Sequence, residues 1–140
     1  MIILQISEIK LYFLLKIFLS IFIGYRLGKE RQRKNQVGGS RTFAIVSLSA
    51  CLITILSLEL IQTYTFDFVR IMSYGLAGIG FLGSGLIIKN KNHIEGVTTA
   101  STLFCLLPIN YLIGMGYYFY GILSAILVYI LLDSKYWRKK

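Results

Sequence analysis

Several residue types are scarce in this sequence, and each scarcity narrows the range of functions. Among 140 residues there are six Asp and Glu, one His, two Cys and one Pro. Cys51 and Cys105 both fall within apolar runs, so we expect buried free thiols and neither a disulfide nor a metal site. The single histidine, His93, lies in a short basic loop, and no catalytic set of residues assembles. We therefore expect a protein that is not an enzyme and that has no cofactor.

Apolar side chains are abundant instead. The chain is 56% hydrophobic and 15% charged, which is far too apolar for a soluble domain of 140 residues. The net charge of +9 does not indicate nucleic-acid binding, because the basic residues lie in the gaps between apolar runs. We expect an all-α, polytopic membrane protein in which residues 1–140 form one transmembrane domain in the lipid bilayer.

Five apolar runs are predicted to form membrane helices, at residues 11–27, 42–62, 69–88, 97–114 and 117–132. Residues 28–41 carry five bases and one acid and form the strongest predicted loop. Lys16 lies within the first run and is expected to snorkel to the interface. Asp67 is placed to cap the third helix. Pro108 and Asn110 predict a kink or break in the fourth.

The basic residues also predict the orientation of the chain. Twelve of the 15 Lys and Arg lie in residues 26–41, 89–91 and 135–140. With five spans these segments fall on one face, which the positive-inside rule places in the cytoplasm. We therefore expect the N-terminus outside and the C-terminus in the cytoplasm.

The third apolar run is unusually rich in glycine. Glycine in a helix interior costs about 0.5 to 1 kcal/mol relative to alanine, so we expect favourable interactions of these residues that offset this cost. On a helical wheel they form two small-residue grooves on opposite sides, which predicts that the other helices pack around this one. The alternative is local unwinding, with carbonyls exposed to an ion or a polar cavity. The first groove contains Gly75, Gly78 and Gly85, and the second contains Gly80 and Gly83.

Charged residues near the predicted outer side form a first candidate site. Buried ionisable groups in membrane helices usually pair, so we expect Glu59 to pair with Arg70 across the hairpin between the second and third helices. The alternative is a cation or proton site that uses Glu59 and Asp67.

A second candidate site lies on the predicted inner side. Its residues are expected at the same depth in the membrane, where they could bind an anion, a lipid head group or an acidic partner segment. The alternative is that the threonines only cap the fourth helix while the bases contact anionic lipid. The residues are Glu30, Arg31, Arg41, Thr98 and Thr99.

Four ordered segments resemble the MgtC/SapB family of bacterial inner-membrane proteins. They are GKERQRK at 28–34, GGSRTFAIVSLSA at 38–50, Asp67 and Arg70 leading to GLAGIGFLGSGLII at 75–88, and GVTTASTLF at 96–104. Phe104 stands where members usually have tryptophan, and residues 106–110 replace a small-residue run. We expect a short form without the soluble C-terminal domain of many members. The resemblance implies importance for the third-helix glycines and for Glu30, Arg41, Thr42, Asp67, Arg70, Gly96, Thr98, Thr99 and Ala100.

The family is associated with magnesium-limited growth, stress and virulence, and was once described as part of magnesium transport. The resemblance implies a regulatory role towards other membrane complexes, such as the ATP synthase or a P-type transporter. We therefore expect a bacterial inner-membrane protein that affects magnesium or proton homeostasis through a partner or as a homo-oligomer. The alternative is a small oligomeric cation channel or transporter that uses Asp67 and Glu59.

Overall fold

The computed structural model describes residues 2–61, 67–89 and 93–133. Within them a short antiparallel hairpin, β1 (Ile88–Lys89) and β2 (Ile94–Glu95), joins the third and fourth of five helices. The expected all-helical chain with five helices is confirmed, and this hairpin is the addition. The helices are α1 (Ile2–Arg33), α2 (Ser40–Ile61), α3 (Phe68–Leu86), α4 (Val97–Met115) and α5 (Tyr118–Asp133).

In the part of the chain that the structure describes, four helices are long and apolar enough to cross a membrane, namely the Leu11–Arg33 part of α1 together with α2, α3 and α4. The fifth, α5, is apolar but has 16 residues. That corresponds to about 24 Å at 1.5 Å per residue, slightly less than the hydrocarbon core of about 30 Å. The chain is therefore a multi-pass membrane protein.

Contacts near the ends of the helices show which ends meet. A Cβ atom placed on Gly38, just before α2, would lie 3.0 Å from Thr99 in α4 and 4.0 Å from Leu86 in α3. Arg31 in α1 reaches the carbonyl of Leu132 in α5. The end of the bundle where these five residues meet is named the basic end below. The predicted basic tail at residues 135–140 and the predicted end of the second span at Gln62 lie outside the described residues.

The most buried helix is α4. In its most apolar window 56% of residues are buried, against 11% for α3. Leu103, Leu106 and Ile113 of α4 are almost completely buried, together with Phe43 of α2 and Leu27 of α1. The prediction that the other helices pack around the third helix is therefore wrong for this chain. The central helix is α4, and α3 lies at the edge, packed mainly against α4.

The glycines of α3 differ in their surroundings. Gly75 lies against the hydroxyl of Tyr111, which donates to the Met72 carbonyl at 3.3 Å. A Cβ atom on Gly83 would meet Ala100 at 3.7 Å. Gly75 and Gly83, predicted on opposite sides, thus both face α4. The helix is continuous, so the alternative of local unwinding is also wrong. Two members of the first groove and one of the second have no neighbour within 4 Å, namely Gly78, Gly85 and Gly80.

The closest approaches to the backbone of another helix involve glycines outside α3. A Cβ atom on Gly24 would lie 2.5 Å from the Phe43 carbonyl oxygen, and one on Gly114 would lie 2.6 Å from Thr54 Cβ. Gly24 and Gly28 have the four-residue spacing that lets membrane helices approach closely. This spacing is visible in the sequence and marks the α1–α2 contact.

Two predicted interruptions are absent from the described helices. The first helix continues to Arg33, so the predicted loop at 28–41 shrinks to residues 34–39. Lys, Glu, Arg and Gln are good helix formers, and a Glu–Lys pair at i,i+4 supports the last turns. The predicted break in the fourth helix is also wrong, because α4 runs through Pro108 from Val97 to Met115.

Candidate functional site

The candidate site lies at the basic end and is built on the last turns of α1. Glu30 is only 3% exposed although it carries a carboxylate. Lys34 Nζ lies 3.0 Å from one carboxylate oxygen, and Arg33 Nη1 lies 3.4 Å from the other. The i+3 and i+4 spacing brings these side chains to one face. Because an unpaired buried charge is costly, the two ion pairs account for the burial of Glu30.

Arg31, the residue after Glu30, reaches α5. It is 4% exposed, and its Nη2 lies 3.5 Å from the Leu132 carbonyl oxygen. Lys34 Nζ donates to the same oxygen. The last carbonyls of a helix lack intrahelical partners and carry the negative end of its dipole, so they attract cations. Glu30, Arg31 and Lys34 therefore form a charged cluster that fastens α1 to the end of α5.

The loop between α1 and α2 packs against the start of α4. Its backbone turns at Asn35 and Gly38, whose φ angles are 51° and 94°. Beside Gly38, the side chain of Thr99 is completely buried. Within the described chain, Thr99 Oγ1 has no hydrogen-bond partner. Thr99 is thus an interior contact between this loop and α4.

Gly96 forms the corner between the hairpin and α4. It is the N-cap of α4, with φ of 85° and no side-chain cap, so the alternative in which Thr98 and Thr99 cap the helix is wrong. A Cβ atom on Gly96 would overlap the carbonyl of Leu86. Only glycine combines this left-handed conformation with such a close approach. Gly96 therefore holds the start of α4 against the end of α3.

The other residues predicted for this end are exposed. Arg41 and Thr42 lie in the first turn of α2, and Thr98 lies in the first turn of α4. Their side chains make no hydrogen bond or ion pair to the part of the chain that the structure describes. The structure therefore separates a buried set, around Glu30, from a polar surface formed by Arg41, Thr42 and Thr98.

At the predicted outer site, Arg70 pairs with a different carboxylate from the one expected. Asp67 caps α3 as predicted, since its carboxylate accepts from the Arg70 backbone N–H at 3.1 Å. Its other oxygen lies 3.4 Å from Arg70 Nε. Glu59 is exposed, and in residues 2–61 and 67–89 no ion pair joins it to Arg70. The predicted Glu59–Arg70 pair is therefore wrong, because Arg70 pairs with the carboxylate three residues before it.

Sequence reasoning missed a buried polar network in the middle of the bundle. The Asn110 Nδ2 donates to Ser47 Oγ at 3.1 Å and to the Leu106 carbonyl at 2.7 Å. The Ser20 hydroxyl lies 2.7 Å from both Asn110 Oδ1 and the Ser47 carbonyl oxygen. Polar side chains inside apolar runs commonly hydrogen-bond between membrane helices. That signal identifies these residues, which connect α1, α2 and α4.

Two further side chains differ from their predictions. Lys16 does not simply snorkel, because its Nζ donates to the Gly114 carbonyl at 2.8 Å. Cys51 is buried as predicted, with its thiol 3.7 Å from the Lys16 carbonyl oxygen. Cys105 is exposed, so the prediction of burial is wrong for this residue. Both thiols are free.

Comparison with known proteins gives matches to a single family. The family model described as "MgtC family" matches residues 17–140. Protein SapB of Bacillus subtilis (strain 168) is 29% identical over 133 residues, which cover 89% of this chain and 56% of SapB. Protein MgtC of Salmonella typhimurium (strain LT2) is 30% identical over 116 residues, which cover 83% of this chain and 49% of MgtC. The chain spans about half the length of the curated relatives it matches. No solved structure matches it.

Proposed function

Because the chain belongs to the MgtC family, we propose that it is a bacterial inner-membrane protein that influences magnesium homeostasis by binding another membrane protein. Regulation through contact is the mechanism we favour. The partner is a second copy of the chain or a membrane complex such as the ATP synthase or a P-type transporter.

The observation that carries this proposal is the unpartnered face of α3. Gly78 and Gly85 have no neighbour within 4 Å, although glycine in a helix interior costs about 0.5 to 1 kcal/mol relative to alanine. On the same side of the helix, Phe81 is 80% exposed and Tyr74 is 69% exposed. Small residues beside large aromatic ones give a helix from another molecule both a groove and an anchor. We therefore propose that this face of α3 is where the partner binds.

The basic end supplies a second part of the proposed contact. The charged cluster around Glu30 is buried and fixes α1 against α5. Arg41, Thr42 and Thr98 remain on the surface beside it. A base with two hydroxyls is suited to an acidic segment of a partner. We propose that these exposed residues recognise the partner, while the buried ones hold the shape of the surface.

The proposed orientation places the basic end in the cytoplasm. It requires all five helices to cross the membrane, with the N-terminus outside and the C-terminus inside. Reporter fusions at the two chain ends test it. Activity in opposite compartments supports the proposal, and activity of both fusions in one compartment contradicts it.

Gly78→Leu tests the contact itself. Nothing lies within 4 Å of Gly78, so this variant should fold normally but lose its partner in co-purification from membranes. Gly80→Leu is the control, because Gly80 also has no neighbour within 4 Å but lies on the opposite side of α3 from Gly78. Unchanged partner recovery with Gly78→Leu would contradict the proposed face.

Flux measurements in proteoliposomes separate this proposal from a cation channel or transporter. The Asp67 carboxylate is already engaged by Arg70, which offsets its attraction for a cation. We expect no magnesium or proton flux from the purified protein. Flux that Asp67→Asn abolishes would overturn regulation by contact in favour of transport.

A further inference from the structure

An apolar groove lies at the surface between α1 and α5. Its volume is about 340 Å³. Phe22 on α1 is 60% exposed, and Ile126 on α5 is 50% exposed. A second groove, of about 510 Å³, continues from Leu19 and Phe22 along α1 to Leu11. The two grooves together therefore form one long apolar groove along α1.

Two cations lie on α1 between this groove and the basic end, one of them in the groove lining. Arg26 lines the groove, and its guanidinium lies 5.8 Å from the centre of the Tyr129 ring. Lys29 lies one turn further along α1, with its ammonium 5.7 Å from the Tyr25 ring. Both bases are exposed, and across the described ranges neither forms an ion pair. A cation held over an aromatic face keeps its charge available for a second partner.

The spacing of these parts matches one leaflet of a bilayer. From Arg26 to Leu14, which both line the grooves, the helix rises about 18 Å, slightly more than half of a hydrocarbon core of about 30 Å. An acyl chain that begins beside Arg26 therefore stays in contact with the groove down to the membrane centre. A guanidinium binds a phosphate group through two parallel hydrogen bonds, which favours a phospholipid head group at this position.

We propose that the α1–α5 groove is a binding site for an anionic phospholipid. The phosphate binds Arg26 and Lys29, and an acyl chain lies along Phe22, Ile122 and Ile126. This site is separate from the α3 face, so it extends the proposed function without depending on it.

The first test compares lipids that share acyl chains and differ in charge. Native mass spectrometry of the detergent-solubilised protein, with added phosphatidylglycerol or phosphatidylcholine, should show preferential retention of phosphatidylglycerol. Arg26→Gln should reduce that preference about fivefold, as expected for one base at a membrane surface. Lys89→Gln, which removes an exposed base of β1 that does not line the groove, should leave it unchanged. Equal retention of both lipids, or an unchanged preference in Arg26→Gln, would overturn the proposal.

A second test concerns the acyl chain. Ile126→Trp fills the groove from an exposed position and should reduce retention of both lipids, whereas Leu131→Trp, at an exposed position outside the groove, should not. Glycerol phosphate without acyl chains should fail to compete. Competition by glycerol phosphate would indicate a free phosphate site, and a bound protein helix in place of lipid would equally refute the assignment.

Discussion

The hydroxyl of Ser20 in α1 and the side-chain carbonyl of Asn110 in α4 lie 2.7 Å apart, and both residues are completely buried. The same asparagine donates to Ser47 in α2. One amide therefore connects three helices at the centre of the bundle. In hydrocarbon such a group has no water to replace a lost partner, so its hydrogen bonds specify which helices pack together.

Asn110→Leu should destabilise the fold by about 1 to 3 kcal/mol, because it removes the amide donor to the buried Ser47 Oγ, while Ser20 keeps the Ser47 carbonyl as its acceptor. Ser49→Ala, which removes an exposed hydroxyl that bonds only within its own helix, is the control. The free energy of unfolding, measured by titration with a denaturing detergent, provides the comparison. Equal stability of the two variants would show that the network does not hold the helices together.

Glu30→Gln should also lower the free energy of unfolding. It leaves the buried Arg31 without a neighbouring carboxylate charge. The side chains of Lys34 and Arg33 are 39% and 70% exposed, so water can solvate their charges in the variant. We expect a loss of about 1 to 3 kcal/mol, below that of a fully buried pair. Glu95→Gln, at an exposed carboxylate beside His93, should change stability little. A double-mutant cycle with Lys34→Met isolates the pair energy, and a coupling near zero would rule out the ion pair.

Alanine substitutions should distinguish glycines that pack from glycines that are free within the chain. Gly24→Ala places a Cβ atom 2.5 Å from the Phe43 carbonyl oxygen and should cost about 1 to 3 kcal/mol. Gly80→Ala meets nothing within 4 Å and should stabilise the isolated chain by about 0.5 to 1 kcal/mol. Thermal unfolding in detergent gives the order of stability. A larger loss in Gly80→Ala than in Gly24→Ala would contradict the packing described above.

The two thiols should differ in reactivity. Cys105 is exposed on α4, whereas Cys51 is buried between helices. In detergent, a small maleimide should label Cys51→Ser protein through Cys105 much faster than it labels Cys105→Ser protein through Cys51. Mass spectrometry over time measures both rates. Similar rates in the folded state would indicate that α1 and α2 do not enclose Cys51, and labelling after denaturation checks that both thiols are intact.

The number of helices was predictable because apolar runs of membrane length have few other uses. The capping of α3 by Asp67 was predictable because its signal is local. The extent to which each helix is buried was not predictable, because it depends on which helices pack against one another. Glycine content favoured α3 as the centre, yet the helical glycines that approach the backbone of another helix most closely are Gly24, Gly28 and Gly114.

The candidate site shows the same division. The resemblance selected Glu30, and the structure places it in a buried charged cluster. The pairing of Arg31 with the end of α5 could not be read from the sequence, because the two residues are 101 positions apart. Thr98 and Thr99 are adjacent in the chain, but the helix turns one outward and the other inward.

The central amide has a consequence for how the protein is made. Asn110 follows Ser20 by 90 positions, so the ribosome delivers α1 and α2 to the membrane well before α4. During that interval the Ser20 hydroxyl already has the Ser47 carbonyl as an acceptor, whereas Ser47 Oγ still lacks its amide donor. The first two helices therefore enter the membrane sharing one hydrogen bond of the network, and the network is complete only when α4 brings in Asn110.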